Sequence, residues 1–263
     1  MLHRYVSILV FFVSPVLAEH GFSLEYTGPY NIDDWLPTKI GTSWEYQEIY
    51  RTAMGPANER IEMKWTRKDT IVANHTIPQG TLIEFNCEDS KISYAPEPDS
   101  ETKQFLARLP AEQHFDWLIR KNYVFVLPDW AWHPEEKKLD DEYVRRLNDE
   151  TNCPDFFFPM DKAEYWSEPK RERAELEKAR LWKQGKGPAP NPARWFWIVV
   201  GREEVTTPAG IFPDSYQLKE FFNTGPVTVW FKPGVGVIKR ETSHSGSFQE
   251  SETLLLNWKF GNT

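Results

Sequence analysis

Cysteine is scarce, with only Cys87 and Cys153 among 263 residues. A chain of this size buries enough surface to fold without a disulfide framework, so a small cross-linked scaffold is excluded. Basic charge is also short, at 31 Lys and Arg against 39 Asp and Glu. Nucleic acid is therefore not an expected partner. Long hydrophobic runs are missing too. The single apolar stretch, Val6 to Leu17, falls short of the roughly 20 residues that a membrane-spanning helix needs. No stable membrane span is expected.

Motifs of reaction chemistry are equally sparse. The histidines after residue 18 are His20, His75, His114, His133 and His244, and none stands in an HExxH or CxxC-type ligand spacing. No G-x-S-x-G elbow occurs, and Gly234-Val235-Gly236 lies between expected strands, without the helix that a phosphate loop requires. The sequence thus assigns no catalytic residue, metal ligand or cofactor.

What the chain does contain begins with an export signal. Arg4 precedes the apolar stretch, and Val16-Leu17-Ala18 places short side chains where a signal peptidase reads. Cleavage after Ala18 removes one charged side chain, Arg4, and leaves no cysteine at the new terminus for lipid attachment. The expected destination is the periplasm or the exterior. In such an oxidising compartment Cys87 and Cys153 have two readings. Paired, they close a 67-residue loop, worth about 4 kcal/mol on a chain-entropy model. Alternatively Cys87, on the apolar side of a run with Ile83 and Phe85, is a buried thiol.

Period-two alternation dominates both ends of the remaining chain, as in Ile61, Met63 and Trp65 or Leu254, Leu256 and Trp258. Further strands are expected at 42–51, 81–87, 195–205, 215–222, 227–231 and 235–242, joined by turns such as Lys232-Pro233-Gly234. Thr76-Ile77-Pro78-Gln79-Gly80 and Thr207-Pro208-Ala209-Gly210 form a weak internal echo that common turn chemistry explains. From 95 to 193 the alternation fades between proline-marked boundaries. A helix is expected from Pro134 to Asn148, with acids in its first turn and Arg145 and Arg146 near its end. Asp161 to Gln184, with 13 charged residues in 24, reads as a solvated helix laced with ion pairs.

Two segments resemble a family of exported bacterial proteins of unknown function. The first is Trp35-Leu36-Pro37-Thr38-Lys39-Ile40-Gly41-Thr42-Ser43-Trp44-Glu45-Tyr46. The second combines Thr207-Pro208-Ala209-Gly210-Ile211-Phe212 with Trp230-Phe231-Lys232-Pro233-Gly234-Val235-Gly236-Val237-Ile238-Lys239. The resemblance covers the terminal thirds and not the middle. It implies a curved antiparallel sheet like the open half-barrels of periplasmic lipoprotein carriers, and it assigns no functional residues.

The expected architecture is mainly β within an α+β class. A single domain over 19–263 forms a curved antiparallel sheet or open half-barrel with a charged helical insertion at about 95–193. Aromatic residues are abundant, with 12 Trp, 10 Tyr and 17 Phe. Trp195 and Trp197 share a strand face, and Trp130 alternates with Trp132. These four are the candidate ligand-contacting residues, and core packing is the alternative role. The expected function is non-catalytic binding of a lipid or other apolar or amphipathic ligand in the cell envelope. One alternative is a glycan hydrolase pairing an acid from 129–141 with Glu203 or Glu204 across a cleft. The other is an interaction module that contacts an envelope protein through the charged helix.

Overall fold

Alternating side chains along both ends of the chain favour long antiparallel strands, and the computed structural model builds one large sheet from them. It describes residues 28–54, 59–108, 115–162, 165–187, 196–222, 225–244 and 248–261. The signal segment lies outside these residues. The first strands are β1 (Ser43–Met54), β2 (Glu59–Ile77), β3 (Gly80–Asp89) and β4 (Ser93–Ala95). The middle adds β5 (Asp116–Arg120), β6 (Tyr123–Leu127), the pair β7 (Trp132–His133) and β8 (Lys138–Leu139), then β9 (Phe156–Phe157) and β10 (Tyr165–Ser167). The last third is β11 (Phe196–Thr207), β12 (Gly210–Phe222), β13 (Gly225–Lys232), β14 (Gly236–Ser243) and β15 (Gln249–Lys259). Each sequence-expected strand is present.

The strand order is β10-β11-β12-β13-β14-β15-β1-β2-β3-β5-β6-β9, antiparallel throughout, with β4 added on β2. The amino- and carboxy-terminal thirds therefore join through β1 and β15, where Trp44 pairs with Trp258 and Glu48 with Thr253. The two sheet ends, β9 and β10, are successive in the chain and approach through Phe157 and Trp166, whose ring centroids lie 6.4 Å apart. The curved sheet is thus a nearly closed barrel.

The two segments that carry the family resemblance pack on each other. Trp44 Nε1 donates to Val235 O at 2.6 Å, Tyr46 Oη donates to Val237 O at 3.1 Å, and Gly234 N donates to Trp35 O at 2.9 Å. Gly236 sits at φ +105°, a conformation that L side chains rarely adopt. The echoing turns close the β2–β3 and β11–β12 hairpins in the same way, with Ile77 paired to Gly80 and Thr207 to Gly210. At Gly80 a Cβ atom would stand 2.2 Å from Ile119 O, so the neighbouring strand requires glycine there.

The middle is only partly helical. Its helices among the described residues are α1 (Ser100–Leu106), α2 (Asp141–Asn148) and α3 (Pro169–Lys183), while β5, β6 and β9 continue the main sheet. The β5–β6 panel is buried on both faces. Trp117 and Val124 face the interior cluster, while Leu118 and Phe125 face an outer cluster with Trp132, Tyr143 and Leu147. Double burial explains why the alternation fades: both faces of these strands are apolar.

Both expected helices are shorter than the sequence indicates. Residues 132–139 form the β7–β8 hairpin, and α2 starts only after Asp140, whose carboxylate accepts from Glu142 N and Tyr143 N. Helix α3 is not wholly solvated. Glu172 and Glu175 are buried, and Glu172 accepts from Ser167 N at 3.3 Å.

A candidate ligand cavity inside the barrel

Strand register places Trp44, Tyr46 and Glu48 of β1 beside Asp69, Arg67 and Trp65 of β2 on the inward face. Asp69 and Ile71 pair with Cys87 and Phe85 of β3, and Ile83 pairs with Trp117 of β5. On the other side of β1, Glu48 pairs with Thr253, which pairs with Arg240 of β14. These strands enclose a cavity of about 550 Å³, within the range typical of small-molecule sites.

One wall is aromatic. The Trp44 and Trp117 rings lie 5.8 Å apart, Phe85 meets Trp117 edge-on at 4.5 Å, and Phe115 stacks on Trp117 at 6.3 Å. Phe156 and Trp197 line the cavity from the direction of the barrel closure. Phe85, Phe115 and Asp129 also line an adjoining cavity of about 230 Å³.

A polar belt runs beside these rings. Arg67 Nη1 lies 2.9 Å from Glu48 Oε1, and Arg67 Nε lies 3.1 Å from Asp69 Oδ1. All three residues are buried. Thr253 donates to Glu48 Oε2 at 2.7 Å, and the guanidinium lies over the Tyr46 and Phe115 rings at 5.2 and 5.5 Å. Burial works against the Arg67 charge, but Glu48 and Asp69 outweigh it and keep the guanidinium protonated. Burial raises both carboxyls against the pull of Arg67, so two acids on one cation carry at most one net negative charge. Neither Glu48 Oε1 nor Asp69 Oδ1 has a well-directed hydrogen bond among the described residues. The directional bond of this cluster runs from Arg67 Nε to Asp69 Oδ2 at 3.1 Å.

Two further carboxyls border this belt. Burial lifts Asp155 to about 6 against the hydrogen bond from Val126 N at 2.7 Å. Burial, reinforced by Asp155, lifts Glu220 to about 9. Glu220 is consequently a neutral hydrogen-bond donor at pH 7.

The four expected contact residues are dispersed. Trp197 is in the cavity wall and stacks on Trp166 at 6.2 Å. Trp132 is buried in the outer cluster, 5.3 Å from the His75 ring, and Trp130 is 47% exposed with its ring edge-on to Tyr143. Trp195 lies outside the described residues. Cys87 and Cys153 are free thiols and are not joined. Cys87 instead faces Asp69, and its thiol is pushed to about 12 by burial and by that carboxylate. The acids weighed for glycan hydrolysis do not converge on the cavity: Asp129 lines it, while Glu203 and Glu204 are exposed and Glu203 accepts from Trp230 Nε1.

The polar belt escaped sequence reading, although one signal was present. Ile61, Met63 and Trp65 share their inward face with Arg67 and Asp69, so two charges continue an apolar alternation without a break. Likewise Arg240 follows Ile238 on the inward side of β14. A charge at an inward strand position marks either a buried pair or a lined cavity.

No family model matches the chain, and no curated protein is similar to it in sequence. Among solved structures it is similar to a protein from Bacteroides fragilis described as a candidate exported protein with a YmcC-like fold. The identity is 11%, the TM-score 0.34, and the match covers 86% of this chain and 98% of that one. A candidate lipoprotein from Parabacteroides distasonis matches at 15% identity and a TM-score of 0.31, over 85% and 97% of the two chains. A candidate outer membrane lipoprotein-sorting domain from Vibrio parahaemolyticus matches at 9% identity and a TM-score of 0.24, over 84% and 86%. At these scores the fold rests on the strand register of the chain itself.

Proposed function

We propose that this chain is a non-catalytic binding protein of the cell envelope whose ligand is apolar or amphipathic and sits inside the barrel. The observation that carries this reading is the mixed lining of the cavity, which combines aromatic rings with a belt of charges and hydroxyls. A wholly packed interior would leave no such volume. Export rests on the signal-like segment ending at Ala18.

Native mass spectrometry of the full chain, expressed in a Gram-negative host and purified without detergent, tests both parts. The expected spectrum shows a chain beginning at Glu19 with a bound small molecule. Val229→Trp, which places a large ring in the cavity wall, is expected to fold with an unchanged circular dichroism spectrum and to lose that adduct. Absence of any adduct from the wild type, or an adduct that survives Val229→Trp, overturns the binding reading.

A further inference from the structure

The two arginines of the cavity have different surroundings. Arg67 is clamped between Glu48 and Asp69. Arg240 lines the same cavity, remains exposed, and has no ion pair or hydrogen bond among the described residues. Three carboxyls lie near enough to interact with it electrostatically: Glu48 of β1, Asp155 before β9 and Glu220 of β12. Glu48 is already engaged by Arg67 and Thr253, and Asp155 accepts from Val126 N. Glu220 carries no charge at neutral pH because burial keeps it protonated.

Donors surround the same spot. Thr242 lies two residues beyond Arg240 on the same strand face, and its hydroxyl shares a 2.5 Å hydrogen bond with that of Ser251. One of those two protons serves the bond, which leaves the other hydroxyl hydrogen free to donate. A guanidinium with no ion pair among the described residues, beside a spare hydroxyl hydrogen in the cavity lining, is suited to an acceptor with negative charge. Trp44, Trp117 and Trp197 line the same cavity of about 550 Å³.

We infer that the cavity binds a single-chain amphiphile with an anionic head group, the head held by Arg240 with Thr242 and Ser251 and the chain lying against Trp44, Trp117 and Trp197. This rests on the binding reading above and narrows it to a charge class. The head is a carboxylate or a phosphate monoester, which share the chemistry that a guanidinium recognises.

Titration of the full mature chain with four ten-carbon probes tests it, read by calorimetry and by quenching of the wall tryptophans. Decanoate and decyl phosphate are expected to bind at least tenfold more tightly than 1-decanol, and decyltrimethylammonium more weakly than any. The tighter of the two anions names the head group. Arg240→Gln is expected to abolish the tenfold preference while leaving 1-decanol binding as it was, and Arg240→Lys to keep most of it. Equal binding of 1-decanol and the anions, tightest binding of the cationic probe, or an anion preference that survives Arg240→Gln overturns the inference and leaves the apolar-ligand reading intact. Failure of all four probes to bind overturns both.

Discussion

Where β1 meets β2, β14 and β15, side chains reach across strands to carbonyls and to one another, whereas the β5–β6 panel is held by apolar burial on both of its faces. The first region contains a charged group that cannot be removed piecemeal. The second is a layer with apolar clusters on both faces, tied at its margins by the bonds from Phe85 N to Asp116 and from Val126 N to Asp155. One barrel thus uses specific polar links to fix the junction of its chain ends, and hydrophobic layering to attach its middle.

The sharpest way to break that contrast is at Arg67. Arg67→Gln leaves Glu48 and Asp69 buried without their paired cation and is expected to cost about 3–5 kcal/mol. Urea denaturation reads this as a lower midpoint. Adding Glu48→Gln and Asp69→Asn is expected to restore part of the loss, because no uncompensated charge then remains. A single variant that unfolds at the wild-type midpoint would show the cluster to be solvated.

A smaller effect separates the regions by pH. The Glu220 carboxyl titrates at about 9 in the fold against an ordinary 4.5, so the folded state holds a proton that the unfolded chain releases between those values. Stability from this group is therefore full below about pH 4.5 and declines as pH rises toward about 9. Melting temperatures measured across that span are expected to fall for the wild type and to fall less for Glu220→Gln. Parallel slopes for the two proteins would refute the assignment.

The smallest effect belongs to the outer covering of the panel. Trp130 is 47% exposed and keeps one edge-on contact with Tyr143. Trp130→Ala is expected to cost about 0.5–1.5 kcal/mol and to leave binding of decanoate unchanged. A changed affinity would place Trp130 in the site after all.

The strands of the terminal thirds were legible because one of their faces is polar, so burial writes itself into the sequence with a period of two. Tyr123-Val124-Phe125-Val126-Leu127 shows no such period, since both of its faces are covered, and a short apolar run does not distinguish strand from helix. The start of α2 was misplaced because Pro134 and its acids imitate a first turn, while the capping carboxylate that decides the start is Asp140. For the cavity, aromatic abundance pointed to the residue type and to one wall member. Trp197 is on the wall, whereas Trp44 and Trp117 are identified as wall residues only by cross-strand register. Charge at inward positions was the readable signal, and it lay at Arg67, Asp69 and Arg240.

A sheet of 13 strands would ordinarily end in two long rows of unused amide and carbonyl groups, inviting a second molecule to add on. Here the terminal ribbons are two and three residues long, succeed each other along the chain, and turn bulky rings toward each other, with α3 packed beside one of them. That arrangement shortens the template at the closure, while beyond Ile198 strand β11 pairs on one side only, with β12. Growth between molecules is thereby confined to the open flank of β11, where Arg202, Glu203 and Glu204 set exposed charges against it.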